Sequence, residues 1–172
     1  GKGAEDHRKG NDRQGHGIDA GSIGYKTGDA GLAVIETRTT WPLVILDSHG
    51  RAYTIPVAAI PSGKGDGVPV TTLVDFQNGG RLAQALSAAP GTQYLFAGSG
   101  GYGFIATVDD LVGRNKAGQA FMAMEPSETP LPPAPVKGTH VWAASDAGRL
   151  LVFDAAEMKA MARGRGVIVM AL

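Results

Sequence analysis

Short apolar runs recur along this chain at near-regular intervals, and most end on a turn former. From Leu32 onward they read LAVIET, PLVILD, RAYTIPV, VPVTTLV, QYLFAG, GFIATV, AFMAM, VWAAS, RLLVFD and GVIVMAL, most followed by Gly, Asp, Asn or Pro. β-Branched and aromatic residues are frequent in them, which suits a pleated, half-buried backbone. Runs this short, separated by turn residues at steady spacing, predict an all-β fold. Two segments look helical instead: RLAQALSA at 81–88 and DAAEMKAMA at 154–162. The Pro-rich stretch EPSETPLPPAPV at 125–136 is too polar for a strand and reads as a surface connector. Residues 1–17, GKGAEDHRKGNDRQGHG, are polar, charged and Gly-rich without apolar periodicity, and read as a loop or disordered arm.

The runs are organised as an internal repeat. PLVILDSHGRAYTIPVAAIPSGKGDGVPV, QYLFAGSGGYGFIATVDDLVGRNKAGQAF and HVWAASDAGRLLVFDAAEMKAMARGRGVIV align on Gly50, Gly101 and Gly148, about 50 residues apart, within the period range of propeller-type arrays. An apolar run precedes each glycine. A basic or aromatic residue follows it (Arg51, Tyr102, Arg149), and then a second strand begins. Ten positions beyond each glycine stands an apolar residue, Ile60, Leu111 or Met158. Each unit then carries a segment rich in Gly and basic residues, SGKGDG, GRNKAG or ARGRG, and another apolar strand. One unit is thus a hairpin, a half-turn, a small basic loop and a strand. RQGHGIDA reads as the basic-loop remnant of an earlier unit.

The repeat decides how GSGGYG at 98–103 is read. The stretch has the G-x-G-x-x-G spacing of a dinucleotide-binding turn, but its sister units read DSHGRA and SDAGRL at the same place. Only the last shared glycine survives, as hairpin chemistry requires, because Gly accepts positive φ. A dinucleotide turn must open a helix facing the pyrophosphate, whereas FIATV follows here. A nicotinamide-dependent enzyme built on this motif is therefore set aside.

The phrase GGYGFIATVDDLVGRNKAGQAF resembles the C-terminal domain of the bacterial topoisomerase IV A subunit (ParC), a family that typically carries a GYGF, DL and RN-AGKA stretch. GHGIDAGSIGYKTGDAG, VILDSHGRAYTI with IPSGKGDGVPV, and ASDAGRLLVF look like successive parts of the same domain in the same order. The resemblance runs from about Arg13 to Leu172. It implies a β-pinwheel: a propeller-like disc of four-stranded blades in which neighbours exchange strands. The repeat units fall at about 13–41, 42–92, 93–139 and 140–172, with 1–12 a tag-like arm unlike the family. Full domains of this kind have more blades, and the chain does not begin with Met, so it is expected to be a piece of a longer protein. Its final run, GVIVMAL, would be the strand passed to a neighbouring blade.

The related gyrase A subunit carries a Gln-Arg-Arg-Gly-Gly-Lys-Gly box that helps wrap DNA. No such run occurs here, which favours the topoisomerase IV branch and DNA bending over full wrapping. The resemblance implies a parent enzyme of the ATP-dependent type IIA class. In such an enzyme a tyrosine in the N-terminal region cuts DNA, with Mg²⁺ there and ATP in the partner subunit. None of that machinery matches this chain, so no catalytic activity and no cofactor are expected of the fragment itself. Tyr25, Tyr53, Tyr94 and Tyr102 read as structural. The implied partners are double-stranded DNA, the N-terminal part of its own subunit, the topoisomerase IV B subunit, and a chromosome-organising protein. The implied place is the cytoplasm, at the nucleoid.

Composition bounds this reading. The chain has 172 residues with 43% hydrophobic and 19% charged, 26 Gly and no Cys, which excludes disulfides and thiolate metal sites. No signal peptide is expected, and no apolar run is long enough to span a bilayer. Formal net charge is zero, so only a local clustering of cations can bind a polyanion. The repeat supplies that clustering. Lys64, the pair Arg114 and Lys116, and the pair Arg163 and Arg165 recur on equivalent loops, while Arg51 and Arg149 stand at hairpin turns. Arg13 and Lys26 belong to the remnant unit. On a disc, equivalent loops share one rim, where cations can track phosphates with counterion release as the driving term. Asp66, Asp109, Asp110 and Asp154 close by limit the affinity. His7, His16, His49 and His140 are scattered and read as polar surface, Trp41 and Trp142 as core, and the five Met as core filler. Two alternatives stay open beside the topoisomerase IV reading: a gyrase A wrapping domain, and a propeller-like module that docks a protein.

Overall fold

A computed structural model of the chain describes residues 27–28, 30–63 and 65–171. Arg13, Lys26, Lys64 and the arm at 1–12 lie outside the described residues. The chain divides into two compact units, Gly1–Val34 and Ile35–Leu172. In the first, Thr27 and Gly28 form a turn and residues 30–34 carry no regular structure, so the strand expected at LAVIET is not formed.

The second unit is all-β, with no α-helix among the described residues. Strands β1 (Leu43–Asp47) and β2 (Arg51–Ile55) form a hairpin, flanked by β3 (Leu82–Ser87) on the β1 side and β6 (Gln119–Ala120) on the β2 side. Strands β4 (Gln93–Ala97) and β5 (Tyr102–Thr107) form the next hairpin, flanked by β7 (Ala134–Pro135) and β10 (Val167–Ile168). Strands β8 (His140–Ala144) and β9 (Leu150–Asp154) form a third hairpin, whose sheet has only these two strands. All the pairings between these strands are antiparallel.

Strand exchange is visible in the order. β6 follows the basic loop of the second repeat yet closes the first sheet, and β10 follows the basic loop of the third yet closes the second sheet. Period-2 alternation then sends side chains to two faces. Val44, Leu46 and Ala52 face Phe96, Phe104 and Phe121 in one core layer. Ile45, Tyr53 and Ile55 face the opposite way, onto Val74 and Phe76. Ile105 on the far face of the second sheet meets Met158, Val169 and Phe153. β1 is buried almost throughout because apolar layers cover both of its faces.

The repeat holds at atomic level. Gly50, Gly101 and Gly148 have φ of +80°, +84° and +77°. Each donates its N–H at 3.0 Å to the carbonyl three residues earlier: Asp47, Gly98 and Ser145. GSGGYG is therefore a hairpin turn that leads into β5. A 3-10 turn follows the second strand of each hairpin, at Val57–Ala59, Val108–Leu111 and Ala155–Glu157. The apolar residue expected ten positions beyond each glycine is buried at Leu111 and Met158 but exposed at Ile60.

Several local expectations are corrected. RLAQALSA is strand β3, because the free edge of β1 accepts it in register and overrides the helix propensity of Leu, Ala and Gln. DAAEMKAMA keeps one 3-10 turn, capped by Asp154. Its remainder runs extended beside β5, with Ile105 donating to the Lys159 carbonyl and accepting from Met161 N–H. The Pro-rich connector contributes β7, an edge strand where a missing N–H does no harm. VPVTTLV forms a 3-10 turn at Val70–Thr72 instead of a strand. Trp142 is 70% exposed, not core, because it stands on the outward face of the two-stranded sheet. Trp41 is half-buried under Arg38, 5.2 Å from the guanidinium carbon. Among the described residues no helix is long and apolar enough to cross a membrane.

Candidate nucleic-acid interface

The basic loops sit where the chain leaves one sheet and enters the one before it. A glycine precedes each exchanged strand: Gly118 with φ +65° before β6, and Gly166 with φ +84° before β10. A Cβ on Gly118 would meet the Ala52 carbonyl at 2.6 Å, and one on Gly166 would run into the Gly103 carbonyl. Ala52 and Gly103 are the same repeat position, so the two corners are built alike. Gly67, at the end of SGKGDG, shares the conformation with φ +72°.

The first corner presents Arg114 and Lys116, both exposed. Among the described residues neither has a side-chain hydrogen-bond or ion-pair partner. Their backbone, by contrast, is tied down. Gly113 N–H donates to Thr54 Oγ1 at 2.9 Å, and Asp75 N–H donates to the Lys116 carbonyl at 2.8 Å. Within the loop, Asn115 Oδ1 accepts from Ala117 N–H at 2.9 Å and its carbonyl accepts from Gly118 N–H. The cations are therefore exposed heads on a fixed base.

Arg51, read from sequence as a cation at the hairpin turn, points into this corner. Its Nη2 donates to the carbonyls of Ala117 at 2.8 Å and Gly118 at 3.1 Å. Its Nε is buried without a partner among the described residues. The backbone of Arg51 is held by Asp47, a fully buried carboxylate. Asp47 Oδ1 accepts from His49 N–H and Arg51 N–H at 2.9 Å each, and its Oδ2 accepts from the Tyr53 hydroxyl at 2.9 Å. The same hydroxyl accepts from Gln77 N–H at 3.2 Å. Burial pushes the Tyr53 phenol up from its ordinary value, and Asp47 adds to the rise while Gln77 and Arg51 oppose it. The buried carboxylate and phenol are held because their oxygens all have partners, while Arg51 Nε is left without one among the described residues.

At the second corner Arg163 is exposed, beside the flanks of the preceding loop: Asp110 and Val112 before it, and Gln119 and Ala120 of β6 after it. Arg165 has internal partners instead. It pairs with Glu125 at 3.3 Å and Glu128 at 2.9 Å and stacks on Tyr102 at 4.2 Å from the ring centroid. Sequence reading placed the two glutamates in a bland connector and missed this contact; their spacing of three was the only available signal. Arg149 is exposed at its turn. The structure thus brings Arg114 and Lys116 together on one loop, with Arg163 beside that loop's flanks, and turns Arg51 and Arg165 inward.

Hairpin blades that hand their last strand to the preceding blade, with the hand-over marked by a basic glycine loop, define a β-pinwheel. Comparisons with known proteins agree. No family model matches the chain. It is 38% identical over 172 residues to the A subunit of DNA topoisomerase 4 from Neisseria gonorrhoeae, covering 93% of this chain and 22% of that protein. It is 33% identical over 155 residues to the A subunit of DNA topoisomerase 4 from Escherichia coli K12, covering 89% and 21%. The solved E. coli ParC C-terminal domain superposes with TM-score 0.83 at 32% identity, covering 92% of this chain and 65% of that one. A solved C-terminal domain of DNA topoisomerase IV gives 0.72 at 18% identity, covering 87% and 49%, and shows the fold alone. The chain spans about a fifth of the length of the curated relatives it matches. Over most of its length the chain is thus similar to A subunits of topoisomerase IV, and its fold to the C-terminal domain of such a subunit.

Proposed function

We propose that this chain binds and bends duplex DNA as the C-terminal domain of a topoisomerase IV A subunit. The observation that carries the reading is the pair Arg114 and Lys116, exposed on a rigid loop at a corner that the repeat builds again, beside Arg163. Cations on a base that is already ordered can neutralise phosphates without the loop first having to be fixed, and the released counterions supply the driving term. With a formal net charge of zero, the grip is local and salt-sensitive, which suits bending over tight wrapping and separates this domain from a gyrase A wrapping domain.

In the parent protein the bound segment would be the duplex to be transported, held near the cleavage core to bias the enzyme among supercoiled and linked substrates. The parent would be one half of an ATP-dependent type IIA topoisomerase, working with its B subunit in the cytoplasm at the nucleoid, with Mg²⁺ and ATP used outside this domain. The domain itself would be non-catalytic and would need no cofactor. Fluorescence anisotropy with a labelled linear duplex tests the binding. Saturable binding at low salt that fades steeply as salt rises supports it, and no binding at low salt overturns it. A second reading, a module that docks a protein such as a chromosome-organising factor, is favoured by one observation: Trp142, Leu150 and Val152 are exposed together on the β8–β9 sheet.

A further inference from the structure

We infer that Arg51 acts as a positioning residue: it does not touch DNA but holds the Arg114–Lys116 loop in its binding form. The inference rests on the DNA-binding reading above and deepens it. Three observations carry it. The guanidinium of Arg51 bridges two consecutive loop carbonyls, Ala117 and Gly118, at 2.8 and 3.1 Å. Its Nε is buried, so the head group faces protein and only part of the side chain meets solvent. The arrangement also recurs. Tyr102 occupies the equivalent position after the next turn glycine, and its ring lies under Arg165. Arg165 stands two residues before β10, as Ala117 stands two residues before β6. In both units the side chain that follows the turn glycine buttresses the same point of the next unit's basic loop.

The chemistry suits Arg and not Lys. A planar guanidinium with several fixed donors can span neighbouring carbonyls, whereas an ammonium is a point charge on a flexible stem. A phosphate held through counterion release asks chiefly for charge, which Lys also supplies. Arg51→Lys therefore separates the two roles with charge conserved.

The experiment measures duplex affinity across a salt series for the 172-residue chain and its variants, with amide hydrogen exchange on the same proteins. Arg51→Lys and Arg51→Gln should both weaken binding, by roughly three- to tenfold. Thr54→Val, which removes the acceptor for Gly113 N–H and no charge, should act in the same direction. In the Arg114→Ala/Lys116→Ala background none of the three should weaken binding further. Exchange should quicken at Gly118 and Asp75 in Arg51→Lys while Val44 and Ile45 of β1 stay protected. Full affinity in Arg51→Lys, together with a salt slope lowered by about 0.9 in Arg51→Gln, would make Arg51 a direct phosphate ligand and overturn the inference. So would effects that add in the double background, or protection that falls evenly across the sheet. If the unaltered chain binds no duplex, the DNA-binding reading fails, and the exchange measurement alone decides whether Arg51 holds the loop.

Discussion

The guanidinium of Arg165 lies over the ring of Tyr102, 4.2 Å from its centroid, and reaches from there to Glu125 and Glu128. This contact fastens the strand-exchange segment to the connector at 125–136. Its strength is bounded by exposure, since the Arg165 side chain is 32% exposed and solvent screens its ion pairs. Arg165→Ala is expected to lower unfolding stability by about 1 kcal/mol. Urea denaturation at low and high salt checks this: the deficit should shrink at high salt, leaving the part due to stacking.

The turn glycines should differ in what they tolerate. Gly148 has φ +77° and open space around it, so Gly148→Ala meets only the left-handed backbone penalty, about 1 kcal/mol. Gly50 has φ +80°, and a Cβ there would stand 2.6 Å from the Met122 carbonyl oxygen. Gly50→Ala must also disturb the hydrogen bond from Met122 N–H to the Gly50 carbonyl. Its expected cost is about 3 kcal/mol or more. Thermal unfolding of the two variants side by side should rank them in that order.

Tyr53 and Asp47 give the domain an alkaline weakness. The native phenol titrates above its ordinary value of 10.0. The folded state therefore holds its proton more tightly than the unfolded state. That contribution is complete below pH 10 and is lost as pH rises through the raised native value. Denaturant midpoints should fall above pH 10 in the native chain, and Tyr53→Phe should remove that part of the fall. At neutral pH the same variant should be less stable by about 2 kcal/mol, because Asp47 and the Gln77 N–H each lose a buried partner.

How much of this could be read from sequence follows from where the information lies. Gly50, Gly101 and Gly148 were legible because a left-handed turn residue leaves a mark at a single position, and three such marks set the period. The basic corners followed from the same alignment. RLAQALSA misled because its composition is helical, while the feature that decides it, the unpaired edge of β1, lies far away in the chain. Trp142 misled for a related reason: an apolar strand is core only if a second layer covers that face. The inward turn of Arg51 and Arg165 was invisible, because a charge beside glycine looks the same whether it faces solvent, a carbonyl pair or a glutamate. Only the fold distinguishes cations left free for a ligand from cations used to build the corner.

The most direct test is the salt dependence of duplex binding in Arg114→Ala/Lys116→Ala/Arg163→Ala against the unaltered chain, with Arg165→Ala as control. Each phosphate that is no longer neutralised should lower the slope of log affinity against log salt by about 0.9, so the triple variant should fall by roughly 2.7 while Arg165→Ala keeps the original slope. An unchanged slope and affinity in a folded triple variant would contradict the proposed grip on DNA.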